Sequence, residues 1–159
     1  MSAAKLRLRR ARWTDRKSIF RWANDPAARA ASFHDEAIPR HVHRRWYHAS
    51  LLGARLLHVV ELDSEAIGVT RLDSVEGDED TAEVGIVLAP EHRGRGLALP
   101  ALLALNRVAV NARLRRLIAR IRADNLASRR AFEKAGFTAT GEETINGIRA
   151  LRYTLDLDE

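Results

Sequence analysis

The stretch from Glu83 to Ala98, EVGIVLAPEHRGRGLA, constrains this chain more than any other. It reads as an apolar strand, a proline stop, a turn of glycine and arginine, and the start of an apolar helix. Gly94 and Gly96 lack a Cβ, so the backbone there can bend sharply and lie close to a ligand. The first amides of a helix have no acceptor inside it and point outward as free donors. Those donors and the positive end of the helix dipole form an anion site suited to phosphate. Arg93 and Arg95 place two formal charges beside it. A plain connector with solvated arginines fits the same residues, and the turn alone does not separate the two readings. A dinucleotide fingerprint needs a third glycine at position 99, which is Leu99. A Walker-type phosphate loop needs Gly-Lys-Ser/Thr after its spacer, which is absent.

The rest of the chain supplies the context. Lys5 to Arg10 alternates as a half-buried strand. Thr14 suits a helix N-cap, and Ile19, Phe20, Trp22 and Ala23 give that helix its apolar positions. The helix is expected to stop near Asn24-Asp25-Pro26, because proline disfavours helix in the residue before it. A loop then runs to about Ile38, and Pro39 opens a second helix carrying Val42, Trp46, Tyr47 and Leu51. Strands are expected at Arg55 to Glu61, Ala66 to Val75 and Thr81 to Leu88, with Gly68 marking a bulge or close approach. A helix from about Gly96 to Asn111 and a strand from Leu114 to Arg122 follow. Asn125 caps a helix from Leu126 to Ala135, and Gly136 is its left-handed stop. Phe137 to Thr144 and Ile148 to Leu157 form a hairpin around Asn146-Gly147. The order is β-α-α-β-β-β-α-β-α-β-β, an α+β (mixed α/β) arrangement. Its antiparallel meander is followed by a right-handed β-α-β crossover. No repeat or linker interrupts it, so residues 1–159 are read as a single domain, long enough to bury its own core.

There are no cysteines, which excludes disulfides, thiolate metal sites and a cysteine nucleophile. The longest apolar run, Leu97 to Leu105, falls far short of the ~18 residues of a membrane span. The N-terminus lacks the apolar core of a signal peptide. A soluble, cytoplasmic protein with no membrane partner is expected. The formal charge is +6, from 27 Lys and Arg against 21 Asp and Glu. That balance favours acidic partners: nucleic acid, headgroups or phosphorylated small molecules. The cations are spread along the chain rather than gathered in a tail, so nucleic acid is not expected as a partner.

Two segments resemble one family. Arg93-Gly-Arg-Gly-Leu-Ala98 resembles the Q/R-x-x-G-x-G/A acyl-CoA motif of the GNAT superfamily of N-acetyltransferases. Asn125-Leu-Ala-Ser-Arg-Arg-Ala-Phe-Glu-Lys-Ala-Gly-Phe137 is similar to its second motif, N-x-x-S-x-x-x-(Y/F)-E-K-x-G-F. They occur in the family's order and spacing, and the resemblance covers roughly residues 5 to 157. It implies a mixed, mostly antiparallel sheet of about seven strands with about four helices, and acetyl-CoA as donor. Arg93, Gly94, Arg95, Gly96, Leu97 and Ala98 would hold the pyrophosphate. Ile86, Val87 and Leu88 would pair with the pantetheine arm, in a wedge opened by the strand at Leu117 to Ile121. Asn125 and Ser128 match cofactor-contacting positions, although Asn125 also reads as a plain helix cap. A backbone N–H at Ile86 or Val87 would stabilise the carbonyl oxygen. Glu83 resembles the glutamate that serves some members as general base; a strand carboxylate paired with an arginine is the equal alternative. Many relatives carry an acidic tyrosine where this chain has Phe132. That residue is expected to pack beside the cofactor, leaving Ser128 and Tyr153 as weak substitutes.

The acceptor side reads Arg21-Trp22-Ala-Asn24-Asp25-Pro26, Arg29, Ser32-Phe33, Ile38, and His43 with Trp46-Tyr47. This looks like the pattern of bacterial acetyltransferases acting on nucleotide-linked amino sugars, of the pseudaminic-acid pathway type. It implies acceptor contacts from Trp22, Asn24, Arg29, His43, Trp46 and Tyr47, and a small-molecule amine of anionic character. Each aromatic taken singly also suits a core position. Ribosomal-protein-type N-terminal acetylation is the nearest alternative, and a non-catalytic CoA- or nucleic-acid-binding module the next. A homodimer is compatible with all three. His34, His41, His48, His58 and His92 have no metal-ligand spacing and are expected at the surface, with no metal bound.

Overall fold

A computed structural model describes residues 5–157. Seven strands form one sheet in the order β1-β2-β3-β4-β5-β7-β6. They are β1 (Leu6–Arg10), β2 (Arg55–Leu62), β3 (Glu65–Val75), β4 (Asp78–Leu88), β5 (Arg116–Arg122), β6 (Thr138–Ile145) and β7 (Ile148–Asp156). All neighbours are antiparallel except β4 and β5, which run parallel as a crossover through a helix requires. The helices are α1 (Arg16–Ala23), α2 (Pro26–Ala31), α3 (Arg40–Ala49), α4 (Ala98–Asn111) and α5 (Leu126–Lys134).

The alternation of each strand sorts its side chains between two layers. Ala82, Val84, Leu117, Ala119 and Ile121 pack with Leu102 and Leu105 of α4 and Phe132 of α5. Leu57, Val59 and Val69 pack on the other face with Ile19 and Trp22 of α1 and Tyr47 of α3. Adjacent residues separate accordingly, Ile86 to the first layer and Val87 to the second. The last hairpin turns at Asn146 (φ 51°) and Gly147 (φ 77°), the paired positive dihedrals of a type I′ turn. Gly68 is a close approach, as expected. A Cβ there would sit 2.7 Å from the Val87 carbonyl oxygen.

Three expectations change. The segment after Asn24 is not a loop throughout, and five α-helices lie among the described residues rather than about four. Asp25 is the N-cap of α2 and accepts from the amides of Ala27 and Ala28, with Pro26 in the first turn. The same three residues therefore stop one helix and start the next. The α1 entry also differs. Asp15, not Thr14, is its N-cap residue, and the Asp15 carboxylate accepts from the Arg12 amide.

Arg9 ties this entry to the sheet, with Nε 2.7 Å from Glu61 and Nη1 2.8 Å from Asp15. The hydrogen bond from Arg9 is the chief cause holding both carboxyls below their usual range. Carboxylates with lowered folded values stabilise the fold above their unfolded values, and that contribution is lost as pH falls through the lowered ones. Acid unfolding should therefore show a loss of stability setting in below about pH 4. Arg9→Gln should flatten it. An acid limb unchanged in Arg9→Gln, followed by urea midpoints against pH, would contradict this account.

Candidate active site

The parallel pairing of β4 and β5 covers three residue pairs: Thr81 with Arg116, Ala82 with Leu117 and Glu83 with Ile118. Both strands continue beyond it, β4 to Leu88 and β5 to Arg122, so they splay into a wedge. Glu83 is the last paired residue and sits at the apex. Ile86, Val87 and Leu88 follow on the unpaired rim, all half-buried.

At the open end of this rim lies the glycine turn. Gly94 has φ +74° and Gly96 φ +72°, values that side-chain-bearing residues rarely adopt. A Cβ at either position would meet nothing within 4 Å. The requirement for glycine is thus set by backbone conformation, and the space above the turn is open. Leu97, at the start of α4, brings no side-chain cap. Among the described residues, no backbone acceptor takes the amides from Gly94 to Leu99. Open space and a row of free N–H donors fit the pyrophosphate of a CoA thioester, and the rim leading to Glu83 fits its extended arm.

The two arginines of the turn differ. Arg93 is not available as a free charge: its Nε donates to the Leu88 carbonyl (3.0 Å) and its guanidinium pairs with Asp25. It locks the turn to the N-terminus of α2 instead. Arg95 is exposed, with Nη1 3.1 Å from Nδ1 of His92. Asn125 caps α5 by accepting from the Ser128 amide (3.2 Å), and both residues are half-buried. Phe132 is 3% exposed and packs edge-on to Phe137 at 5.0 Å. Tyr153 is fully buried, its hydroxyl donating to Glu133 (2.8 Å) and accepting from Arg129 (3.1 Å).

Around Glu83 lies a charged group of which the sequence singles out Glu83 alone. Its carboxylate pairs with Nη1 of Arg120, whose Nε reaches Glu143 on β6 at 2.9 Å. Burial opposes the charge on Arg120, but the Glu143 hydrogen bond and the charge of Glu83 outweigh it and raise its pKa. Beside them Arg71 pairs with Asp73 at 2.8 Å, and its guanidinium lies over Gly85. The sequence signal for Arg120 is its alternation with Ile121 and Ala119 on a strand whose other face is buried.

The acceptor residues divide into core and scaffold. Trp22 is 3% and Tyr47 0% exposed, and both belong to the core rather than to a ligand surface. The Tyr47 hydroxyl donates to the Arg12 carbonyl at 2.6 Å. His43 is buried between Phe20 and Trp46, and burial lowers its pKa, disfavouring the charged form. Trp46 is half-buried. Asn24 holds Ile38 at both ends, accepting from its amide (2.7 Å) and donating to its carbonyl (3.0 Å). Arg29 donates to the carbonyls of Ala23 (2.8 Å) and His34 (2.9 Å). From the far side, Arg122 and Asn146 hold the carbonyls of Ser32 and Phe33. Residues 32–38 are thus a strap fixed to α1 and α2 on one side and to β5 and the last hairpin on the other. His58 and His92 are also buried, not exposed as expected. No cluster suited to a metal occurs among the described residues.

Comparison with known proteins places this geometry. Residues 5–138 match the acetyltransferase (GNAT) domain family. The ribosomal-protein-serine acetyltransferase of Escherichia coli is 33% identical over 90 residues, 56% of this chain and 50% of that protein. The chain thus matches about half the length of that relative. A putative acetyltransferase from Salmonella typhimurium, solved with acetyl-CoA, superposes with a TM-score of 0.80 at 25% identity, covering 97% of this chain and 95% of the other. Spermidine N-acetyltransferase from Vibrio cholerae, solved with CoA and spermine, shares the fold at TM-score 0.86 and 22% identity, over 96% and 95%.

A side chain at a left-handed position costs about 1–2 kcal/mol, so Gly96→Val should weaken acetyl-CoA binding about tenfold. Calorimetric titration measures it, and an unchanged affinity would remove the turn from the site.

Proposed function

The chain belongs to the acetyltransferase (GNAT) domain family and with it to the acetyl-CoA-dependent N-acetyltransferases, and we propose that its acceptor is the primary amine of an anionic, nucleotide-linked amino sugar. The observation that carries the reading is the position of Glu83 at the apex of the wedge, facing the strap-covered side. Asp73, Glu83 and Glu143 alternate there with Arg71 and Arg120. A ring of carboxylates and guanidiniums suits a polyhydroxylated acceptor that carries both an amine and acidic groups. The strap adds support. Part of the sequence pattern that resembles that of amino-sugar enzymes, Asn24, Arg29 and Ile38, lies in the contacts that shape residues 32–38. Two aromatics of that pattern, Trp22 and Tyr47, are core and do not contribute.

Acetyl-CoA supplies a thioester carbonyl that an amine can attack. The amine must arrive unprotonated, and in this reading Glu83 takes its proton, although its pairing with Arg120 is also what the alternative, a plain strand ion pair, calls for. Arg120 holds the Glu83 carboxylate across the wedge and, through Glu143, ties the last hairpin to the same point. In this reading the Ile86 amide, on the β5-facing edge, holds the carbonyl oxygen as charge builds on it, whereas the Val87 amide turns to β3, in step with Ala89 N–H donating to the Ile67 carbonyl, and is withdrawn from that role. Ser128 and Asn125 stand at the start of α5. Tyr153 is occupied by Arg129 and Glu133, and Phe132 has no proton to give. No side chain is therefore assigned as acid for the leaving thiolate, whose low basicity lets it depart without one (cysteine's reference value is about 8.5).

A second reading, acetylation of a protein N-terminus, is favoured by the likeness to the ribosomal-protein-serine acetyltransferase. An acetyl-transfer screen over UDP- and dTDP-linked amino sugars beside N-terminal peptides separates the two. Turnover on the sugars alone is expected, and turnover on peptides alone would replace the proposal. Glu83→Gln should lower turnover by about a hundredfold or more while leaving acetyl-CoA binding nearly unchanged. Full activity would remove Glu83 as the base.

A further inference from the structure

Part of the cationic charge of the acceptor region does not face the wedge at all. On α3, His43 and Tyr47 point into the core, which turns His41, Arg44, Arg45 and His48 outward. There they surround Trp13, from the turn that follows β1, and the five side chains line one open hollow. Trp13 is 41% exposed, unusual for so large an apolar group. The Arg16 guanidinium lies 4.1 Å from its ring centre and that of Arg44 5.8 Å. His48 meets the ring edge-on at 6.2 Å.

Among the described residues, no carboxylate pairs with the arginines of this face. From Ala37 to Val60 the sequence has no Asp or Glu. Asp15, the nearest acid in sequence to Trp13, is held by Arg9 and the Arg12 amide. Among the described residues, Arg16, Arg44 and Arg45 have no carboxylate partner. Cations at positions 16, 44 and 45, spread in sequence, are therefore gathered by the fold around one exposed indole. The hollow lies beyond the β1–β2 side of the sheet, whereas the wedge opens between β4 and β5.

We propose that the Trp13 hollow is a second binding site, for single-stranded nucleic acid, separate from the acetyl-transfer site. An aromatic platform takes a base by stacking irrespective of sequence, and unpaired arginines beside it take the flanking phosphates. Guanidiniums already lying over the indole extend the stacking surface, since an arginine plane stacks on a base as well. A membrane surface fits less well, because α3 turns His43 and Tyr47 to the core and, apart from Val42, shows mostly charged and polar side chains outside. The site would hold the enzyme near a nucleic-acid-bearing partner without altering the chemistry at Glu83.

The test uses the full chain with fluorescent dT and U oligonucleotides of about ten residues, in the site-size range of single-strand binders. Anisotropy is read from low to high salt, with heparin and anionic phosphatidylserine vesicles as parallel arms. Binding to the oligonucleotides is expected, with log K falling against log salt at a slope of about −2 if three phosphates are neutralised. Trp13→Ala should weaken it about fivefold or more. Arg44→Glu with Arg45→Glu should abolish it, while acetyl-CoA binding and thermal melting stay as in the parent. Arg107→Glu with Arg113→Glu, a charge change of the same size elsewhere, should leave most of the affinity. Absence of oligonucleotide binding at low salt would overturn the proposal. So would binding insensitive to Trp13→Ala, equal loss in both charge variants, or binding to vesicles alone. Each of these outcomes is independent of which amine the enzyme acetylates.

Discussion

Everything at the candidate active site depends on how briefly β4 and β5 stay together. A parallel pair normally continues along the full shared length of its strands, each residue adding a ladder hydrogen bond. Here the pairing stops at Glu83 and Ile118 while both strands run on. The unpaired rim from Val84 to Leu88 then carries polar backbone groups on a face that would be costly to leave unused. An extended ligand arm can take the place of the missing strand. The glycine turn is attached to the end of that rim, and the candidate base stands at its beginning. One interruption of pairing thus sets a line from the glycine turn to the candidate base.

The surrounding elements hold that interruption open. On one side α4 packs Leu102 and Leu105 against Val84 and Leu117, fixing both strands from behind. On the other, α1 and α3 cover β2 and β3 through Trp22 and Tyr47 but leave the front of the wedge to the strap at residues 32–38. The strap is bound on both flanks by side chains that reach its carbonyls, from Arg29, Arg122 and Asn146. The Arg93–Asp25 pair joins the donor-side turn to the helix that anchors this strap. The glycine turn and the helix that anchors the strap are therefore joined by an ion pair between residues far apart in sequence.

The local signals that read directly from sequence are those with one physical cause. Gly94, Gly96, Gly136 and Asn146-Gly147 all sit at positive φ, and each is legible in the sequence as a turn or stop. Strand positions come from alternation, and strand order in the crossover from handedness. The acceptor side is less legible because its residue types have two uses. Trp22 and Tyr47 fit a stacking surface or a core, and only packing against Leu57, Val59 and Val69 decides it. Arg93 fits a phosphate or a carboxylate, and its partner Asp25 is remote in sequence. Asn24-Asp25-Pro26 reads as an ending because proline restricts the residue before it, whereas Asp25 also satisfies the first amides of α2. The Glu83–Arg120–Glu143 arrangement needs three strands in register. The gathering of Arg16, Arg44 and Arg45 around Trp13 needs the tertiary fold, since a spread of charge along the chain says little about its spread over a surface.

The most direct test of this account is a backbone amide NMR titration of the full chain with CoA. The account predicts that the amides of Ile86 to Leu88 and Gly94 to Leu99 shift together and saturate at one dissociation constant. The amides near Asn125 and Ser128 should shift with them, and those around Trp13 and α3 should stay in place. Saturable shifts centred away from the wedge, or a bound cofactor that leaves the Gly94 and Gly96 amides unmoved, would contradict it.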